Sequence, residues 1–517
     1  MDHGLTIADH QEAAQISDGI DRYSWKDVEV EGVPAGRLAS YEFFLTYKLA
    51  DYVIPDHLLM EYRGHLTSVI LSIRAAKRIL PEMRADRLIT YNGKYGVNRA
   101  WKLIAEDMGI PSYSIHGGMG ERTRYDRLMM FRADDQQMAL VHSVEAQQAM
   151  DLPLRESQCR AVRSDLHFRE GAVSAFAYSP PISSQSAYSL RFQLGIPASN
   201  RVFLVALSST DEVFAASVVG LTRADDSVIF QDQLEWLRGI LEMAREHPNW
   251  TFIVRLHPRM MPNRRDSRVA PVATDVLSLL DKAPNNVLVD TPSDHRSVYD
   301  LFKVTDVGLV RSSTLGLEMV ARGIPVVCAD RSAIRGFPPS LAHVADSHSD
   351  YAALLTRALE AGHEENTARA VCAWRYLFFR DYLASRAVPW RVQEYSHVEG
   401  QTTKSHLKSR FLFAARSTKQ CLPLAHGPFA RSLHFLVRSR HGPSTAPLLP
   451  MEADDRWVEP FDETLRRASQ SISSRAETAG LEEERLGNLE FDLLYVNRFL
   501  DEYRDSFADK GRKGENS

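Results

Sequence analysis

The sequence predicts a two-domain α/β protein built on parallel sheets, and three stretches carry that prediction. The apolar run Val307 to Val310 leads through Ser312-Ser313-Thr314 into a short helix pattern bearing Glu318, and Gly323-Ile324-Pro325 opens a second apolar run at Val326-Val327. The run Phe252 to Leu256, which includes Arg255, ends in His257-Pro258-Arg259. Leu88 to Tyr91, the turn Asn92-Gly93, the amphipathic Trp101 to Met108, the stop Gly109-Ile110-Pro111 and the run Ser112 to Ile115 make one strand–helix–strand unit. Strands alternating with helices in this way form parallel sheets, with ligands at the carboxyl ends of the strands.

In chain order, residues 1 to 40 are polar and weakly patterned, with at most a short strand between Val28 and Val33. Tyr41 to Leu80 places apolar residues at helical spacing, broken near Pro55, which predicts two long helices. The strand Ser112 to Ile115 runs into His116-Gly117-Gly118-Met119-Gly120-Glu121, a glycine-rich loop at a strand end. Residues 170 to 190, with Ser179-Pro180-Pro181 and further serines, read as an interdomain linker. The second domain opens with the strand Val202 to Leu207, which feeds Ser208-Ser209-Thr210-Asp211-Glu212 as either a cleft wall or a surface loop. A helix near Gln233 to Arg245 carries Trp236, Leu237, Ile240 and Leu241 on one face, the pattern of a core. Ser349 to Arg380 reads as two helices. The expected units are residues 1–185, 186–390, a basic stretch 391–450 and an acidic helical tail 451–517.

The chemistry follows from placement. Ser312, Ser313 and Thr314 stand at a helix start, where free N–H groups and the positive dipole end suit a nucleotide phosphate; Ser and Thr are also ordinary N-caps. Glu318, one turn further, is placed to take both ribose hydroxyls of such a nucleotide. His257, held extended by Pro258 and flanked by Arg255 and Arg259, suits a phosphate leaving group, and it follows the Ser-Ser-Thr stretch's own logic 55 residues earlier. His116 and Glu121 are the candidate general bases on the first domain, Glu121 the first choice; Asp211 and Glu212 come next. The bland reading of that loop is a turn with a solvated charge.

These motifs resemble those of the bacterial capsule polysaccharide biosynthesis glycosyltransferases of the GT-B fold, a group similar to capsular Kdo transferases and bacterial polysialyltransferases. The match rests on His257-Pro258, on Ser312-Ser313-Thr314 followed by Glu318, on the strand Asn286 to Asp290, on the helix start Ser297 to Leu301, and on Asn92-Gly93-Lys94, over roughly residues 40 to 390. The resemblance implies two Rossmann-like domains facing a cleft, Asn92 and Lys94 on the acceptor side, and transfer from a nucleotide-activated sugar, CMP-sugar favoured, to a capsular polysaccharide or its lipid acceptor; beyond residue 400 the spacing itself predicts a mostly helical C-terminal extension. It also implies an opening strand, glycine turn and helix, which residues 1 to 40 lack; the first domain is therefore expected to be truncated or smaller.

Composition sets the bounds. The 517 residues exceed one ordinary core. A net charge of −5 argues against a general nucleic-acid binder. Cys159, Cys328, Cys372 and Cys421 are scattered without metal-ligand spacing, and no Asp-x-Asp stands where a metal would bridge a pyrophosphate. A metal-independent enzyme without cofactor is expected. The start lacks a secretory pattern and no run reaches the length of a membrane span, so a cytoplasmic protein is expected. Residues 401–450 carry Lys404, Lys408, Arg410, Arg416, Lys419, Arg431, Arg438 and Arg440 with no acidic residue. That is the pattern of a basic helix at the anionic inner membrane face or of a basic linker. Leu486, Leu489, Leu493, Val496, Leu500 and Tyr503 form a stripe that either docks on the body or makes a homodimer contact. Two rival functions stand beside the transferase: an epimerase or glycerophosphate transferase on the same fold, and a non-catalytic capsule assembly protein.

Overall fold

The computed structural model describes residues 4–132, 140–174, 177–221, 229–263, 266–329, 336–387, 496 and 498–502. It is an α/β protein with two sheets. The chain opens with helices: α1 (Ile7–Asp18), α2 (Ala35–Tyr47) and α3 (Leu59–Glu82). Thr6 and Asp9 close a capping box on α1, and Arg78 of α3 donates to Asp9 at 2.7 Å. Capping and one tertiary ion pair thus make a helix where hydrophobic patterning is weak. The short strand expected between Val28 and Val33 is a single bridge, Val30 to Val33. Leu66, Val69, Ile70 and Ile73 bury one face of α3, as the spacing predicted. Trp25 is fully buried edge-on to Phe44 and Tyr62, with its indole N–H donating to Tyr52 O at 3.0 Å.

The first sheet contains β1 (Leu88–Tyr91), β2 (Ser112–Gly117) and β3 (Arg127–Phe131), with α4 (Gly96–Asp107) crossing from β1 to β2. β1 and β2 are parallel, whereas β3 runs antiparallel to β2. The sheet is mixed and small, and helices precede its first strand. α4 approaches α2 so closely that a Cβ on Gly96 would lie 2.3 Å from Leu38 O. Glu42 of α2 accepts from the Gly96 N–H at 2.9 Å, supplying the cap that Tyr95 does not.

The helices α5 (Val144–Asp151), α6 (Glu156–Glu170) and α7 (Ala187–Gln193) lead to β4 (Arg201–Ala206), α8 (Thr210–Val218), α9 (Gln233–Glu246), β5 (Trp250–Arg255), α10 (Val272–Leu280) and β6 (Val287–Asp290). After these come α11 (Val298–Phe302), β7 (Val307–Val310), α12 (Leu315–Val320), β8 (Val326–Cys328), β9 (His343–Val344), α13 (His348–Glu360), α14 (His363–Phe378) and β10 (Arg386–Ala387). The second sheet is parallel throughout in the order β6-β5-β4-β7-β8-β9. That is the doubly wound order, reversing direction between β4 and β7. Val202, Leu204 and Ala206 bury on the face shared with α12 and α14, while Phe203, Val205 and Leu207 bury against Trp236, Leu237, Ile240 and Leu241 of α9. Alternate strand residues therefore feed two cores, which is why these strands are apolar at nearly every position.

α14 carries the chain back, and β10 pairs antiparallel with β3 in the first sheet. Met150, Val162 and Leu166 of α5 and α6 share a core with Val371 and Trp374 of α14, so these helices pack with the second sheet's layer from before the linker. The linker itself is anchored: Ser183 donates to Asp300 from its N–H at 3.1 Å and from its hydroxyl at 2.9 Å. Val496, Phe499 and Leu500 are buried in the same core, with Phe499 edge-on to Trp374 at 4.9 Å and Arg163 paired to Glu502 at 2.7 Å. The described part of the C-terminal stripe therefore docks on the body and is covered there. The basic stretch 401–450 and most of the tail lie outside the described residues. Among the described residues no helix is long and apolar enough to cross a membrane.

Candidate functional site

The strand order reverses between β4 and β7, and their carboxyl ends carry Ser208-Ser209 and Ser312-Ser313-Thr314. The Ser312 N–H donates to Ser208 Oγ at 3.2 Å, tying the two turns together. A cavity of about 330 Å³ opens there. Ser208, Ser209, Glu212, His257, Ser312, Ser313 and Thr314 form its second-sheet wall, and Tyr41, Asn92, Lys94 and His116 face them from the first region. Asn92 holds a left-handed φ of 49° at the end of β1, with its own Oδ1 accepting from the Lys94 N–H at 3.3 Å; a short polar side chain of this kind tolerates that geometry. Gly336 closes the rim, and a Cβ there would lie 2.9 Å from Thr314 Cγ2.

His257 follows β5. Its Nδ1 accepts from the Arg259 N–H at 3.2 Å. A backbone amide can only donate, so Nδ1 is unprotonated and the ring proton of the neutral imidazole lies on Nε2. Burial pushes the pKa down to about 4, against Asp211 and with Arg259, Arg255 and Lys48 adding. His116 at the end of β2 has the reverse arrangement. Its Nδ1 meets Gly117 O at 2.9 Å. A carbonyl can only accept, so that nitrogen carries the proton and Nε2 keeps its lone pair. Burial lowers the His116 pKa, the Gly117 carbonyl opposes, and the charges of Arg124 and Lys94 add to the lowering. The ring stacks on Tyr91 at 5.8 Å with an 8° interplanar angle.

Other expected residues lie elsewhere. Arg255 is buried and paired to Asp290, which Arg296 also holds, so it does not reach the cavity. Arg259 is occupied: it pairs with Asp211, donates to Ser209 Oγ at 3.1 Å and to Leu45 O at 2.9 Å, and lies 3.6 Å from Glu212. Together with Arg268, which donates to Thr46 O at 2.6 Å, it binds the free carbonyls at the end of α2. Arg259 is thus a strut between the two regions. Pro258 opens a short 3₁₀ turn and lies off the cavity wall, as does Asp211, whose carboxylate is turned to Arg259 and Ser209.

Glu121 and Glu318 meet, but not at the cavity. Both approach Arg169, at 3.2 Å and 3.4 Å, and Asp381 stands 3.9 Å away. Glu318 also accepts from the Tyr299 hydroxyl at 2.8 Å. Burial works against the Arg169 charge, yet Glu318, Glu121 and Asp381 outweigh it and hold the guanidinium above its ordinary pKa. Tyr299 is pushed well above its ordinary value by burial and by the Glu318 charge. Neither Arg169 nor Tyr299 was legible as a partner, because a lone arginine on a polar helix carries no signal of three distant carboxylates.

A larger cavity of about 490 Å³ opens at the amino ends of the strands, beside Arg201, Asp306 and Pro325. Its cations are already engaged. Lys303 donates to Asp300 and Ser183 O at 2.7 Å and to Gln185 O at 2.9 Å, and Arg322 to Glu170 at 2.7 Å and Glu318 O at 2.9 Å. Among the described residues no three His, Cys, Asp or Glu side chains gather as a metal site requires.

No family model and no curated protein matches the chain. Solved structures similar to it include the β-Kdo 2,4-transferase KpsC of Thermosulfurimonas dismutans, at 16% identity over 47% of this chain and 68% of that one, with a TM-score of 0.30. The β-Kdo 2,7-transferase KpsC of the same organism is 13% identical over 54% and 79%, with a TM-score of 0.27. The UDP-GlcNAc 2-epimerase of Methanocaldococcus jannaschii, solved with UDP-GlcNAc and UDP, is 12% identical over 60% and 82%, with a TM-score of 0.29. This is distant structural similarity to sugar-processing enzymes of the GT-B fold.

Proposed function

We propose that the protein is a glycosyltransferase that moves a sugar from a nucleotide-activated donor to a cell-surface glycan or its lipid acceptor. One observation supports this above the others: a single cavity at the reversal of a doubly wound sheet joins hydroxyl-rich turns and His257 on one wall to Asn92, Lys94 and His116 on the other. The donor phosphate would lie against Ser312, Ser313, Thr314 and His257, where ligands of such sheets sit. The acceptor would enter from the Asn92 and Lys94 side. Among the described residues Arg255 and Arg259 are engaged with Asp290 and Asp211, and Lys94 and Glu212 line the wall. A CMP-sugar is the favoured donor. Glu318 would reach the ribose only by leaving Tyr299 or Arg169.

The test is nucleotide binding followed by product analysis. Thermal-shift titration with CMP, UDP, CDP and GDP should show stabilisation by a cytidine nucleotide, and a matching sugar donor should yield free nucleotide and a glycosylated acceptor. Stabilisation by none of the four would remove the reading. Conversion of the donor without any acceptor would replace it with the epimerase.

A further inference from the structure

We infer that the cavity holds two neutral imidazoles in opposite tautomers, so that His116 Nε2 takes a proton from the acceptor hydroxyl while His257 Nε2–H donates a hydrogen bond to the departing phosphate. The assignment deepens the transferase reading and rests on it, but the tautomers themselves rest only on backbone geometry. Each ring is fixed by its own turn: Gly117 O forces the proton onto Nδ1 of His116, and the Arg259 N–H excludes it from Nδ1 of His257. In each ring Nε2 is then the remaining polar atom, with no hydrogen-bond partner among the described residues, and both rings line the same cavity. Tyr91, stacked on His116, acts as a positioning residue that fixes the ring plane.

The same geometry selects against the alternatives. Glu121 lies off the wall and is held by Arg169. Glu212 lines the second-sheet wall, on the donor side, 3.6 Å from Arg259. Lys94 and Arg124 are the charged groups whose fields reach His116; Asp211, Arg259, Arg255 and Lys48 are those that reach His257. The cations favour the neutral ring in both places, which keeps a lone pair ready on one and a donor on the other at neutral pH.

The step balances as a single displacement. The acceptor O–H proton passes to His116 Nε2 while the acceptor oxygen bonds to the anomeric carbon. The bond from that carbon to the phosphate oxygen breaks, and its electron pair stays on the phosphate. The phosphate oxygen accepts the hydrogen bond from His257 Nε2–H, and the His116 imidazolium returns its proton to water.

Long-range ¹⁵N–¹H correlation on the full chain labelled at histidine, with His116→Asn and His257→Asn used for assignment, reads the tautomers without any substrate. At neutral pH His116 should show the Nδ1–H form and His257 the Nε2–H form; the same form for both, or an imidazolium at either, overturns the inference. Release of nucleotide from a panel of CMP- and UDP-activated sugars, with water as acceptor, supplies the second arm. His116→Gln should lower release by ~10²–10⁴-fold and remove the acid limb of the pH profile, leaving nucleotide affinity within a few fold. Unchanged release, or an unchanged limb, would take the base role from His116. If the parent protein releases nucleotide from no donor, the transferase reading falls, and the tautomer pair still stands or falls on the correlation spectrum.

Discussion

The cavity wall and the Arg169 cluster contain the same kinds of residue and differ in what surrounds them. In the cluster every charge has a partner: Arg169 faces Glu121, Glu318 and Asp381, and Asp381 is further held by Arg380 at 2.6 Å. In the cavity the two imidazoles satisfy Nδ1 on the main chain and present Nε2. A buried charge with all its partners in place is structural, because moving it leaves uncompensated charges behind. A polar atom fixed in orientation but unpartnered is ready for a ligand. The difference sorts the residues that the sequence marked as functional: His116 and His257 fall on one side, Arg255, Arg259, Glu121 and Glu318 on the other.

The largest effect is expected at Arg169. Arg169→Met leaves three carboxylates around an apolar side chain and should cost on the order of 3–5 kcal/mol of stability, read by urea denaturation. A variant as stable as the parent would show that the cluster is not structural. Acid is the next lever. His257 has a folded pKa of about 4 against an ordinary 6.5, so between those values the unfolded chain binds more protons. Its stabilising effect is full above pH 6.5 and is lost as pH falls to about 4. The loss should be on the order of 3 kcal/mol, and His257→Leu should flatten that part of the profile; His343, also lowered to about 4 by burial, leaves a residual slope. An identical profile in both proteins would contradict the neutral ring. Tyr299→Phe is the mildest of the three, removing a 2.8 Å hydrogen bond to Glu318. It should cost about 1–2 kcal/mol with nucleotide affinity unchanged, and a loss of affinity alone would move the cluster into the donor site.

The second sheet was legible because its strands bury both faces and read as apolar runs between helices. Val202 to Leu207 and Phe252 to Leu256 could be read almost residue by residue. The first region was not, since α1 depends on Thr6, Asp9 and a contact from Arg78 that lies 69 residues from Asp9. β3 and β10 pair across more than 250 residues and left no local trace. At the site, the strand-end position of His257 and of the Ser-Ser-Thr turn was readable. The partners were not: Asp290 neutralises Arg255 from 35 residues away, and Arg169 reaches Glu318 from 149. Sequence marks where charge is; only the fold decides which charges are already answered.

On the proposed function the cavity wall reads the nucleotide and the paired arginine behind it does not. Isothermal titration with CMP, or with whichever nucleotide stabilises the parent most, on the parent, His257→Ala and Arg255→Met tests it directly. His257→Ala should weaken binding about tenfold, the equivalent of ~1.4 kcal/mol, with its melting temperature at neutral pH close to the parent's. Arg255→Met, which removes the partner of buried Asp290, should lower the melting temperature and leave affinity within a few fold. Full affinity in His257→Ala together with lost affinity in a stable Arg255→Met would contradict it.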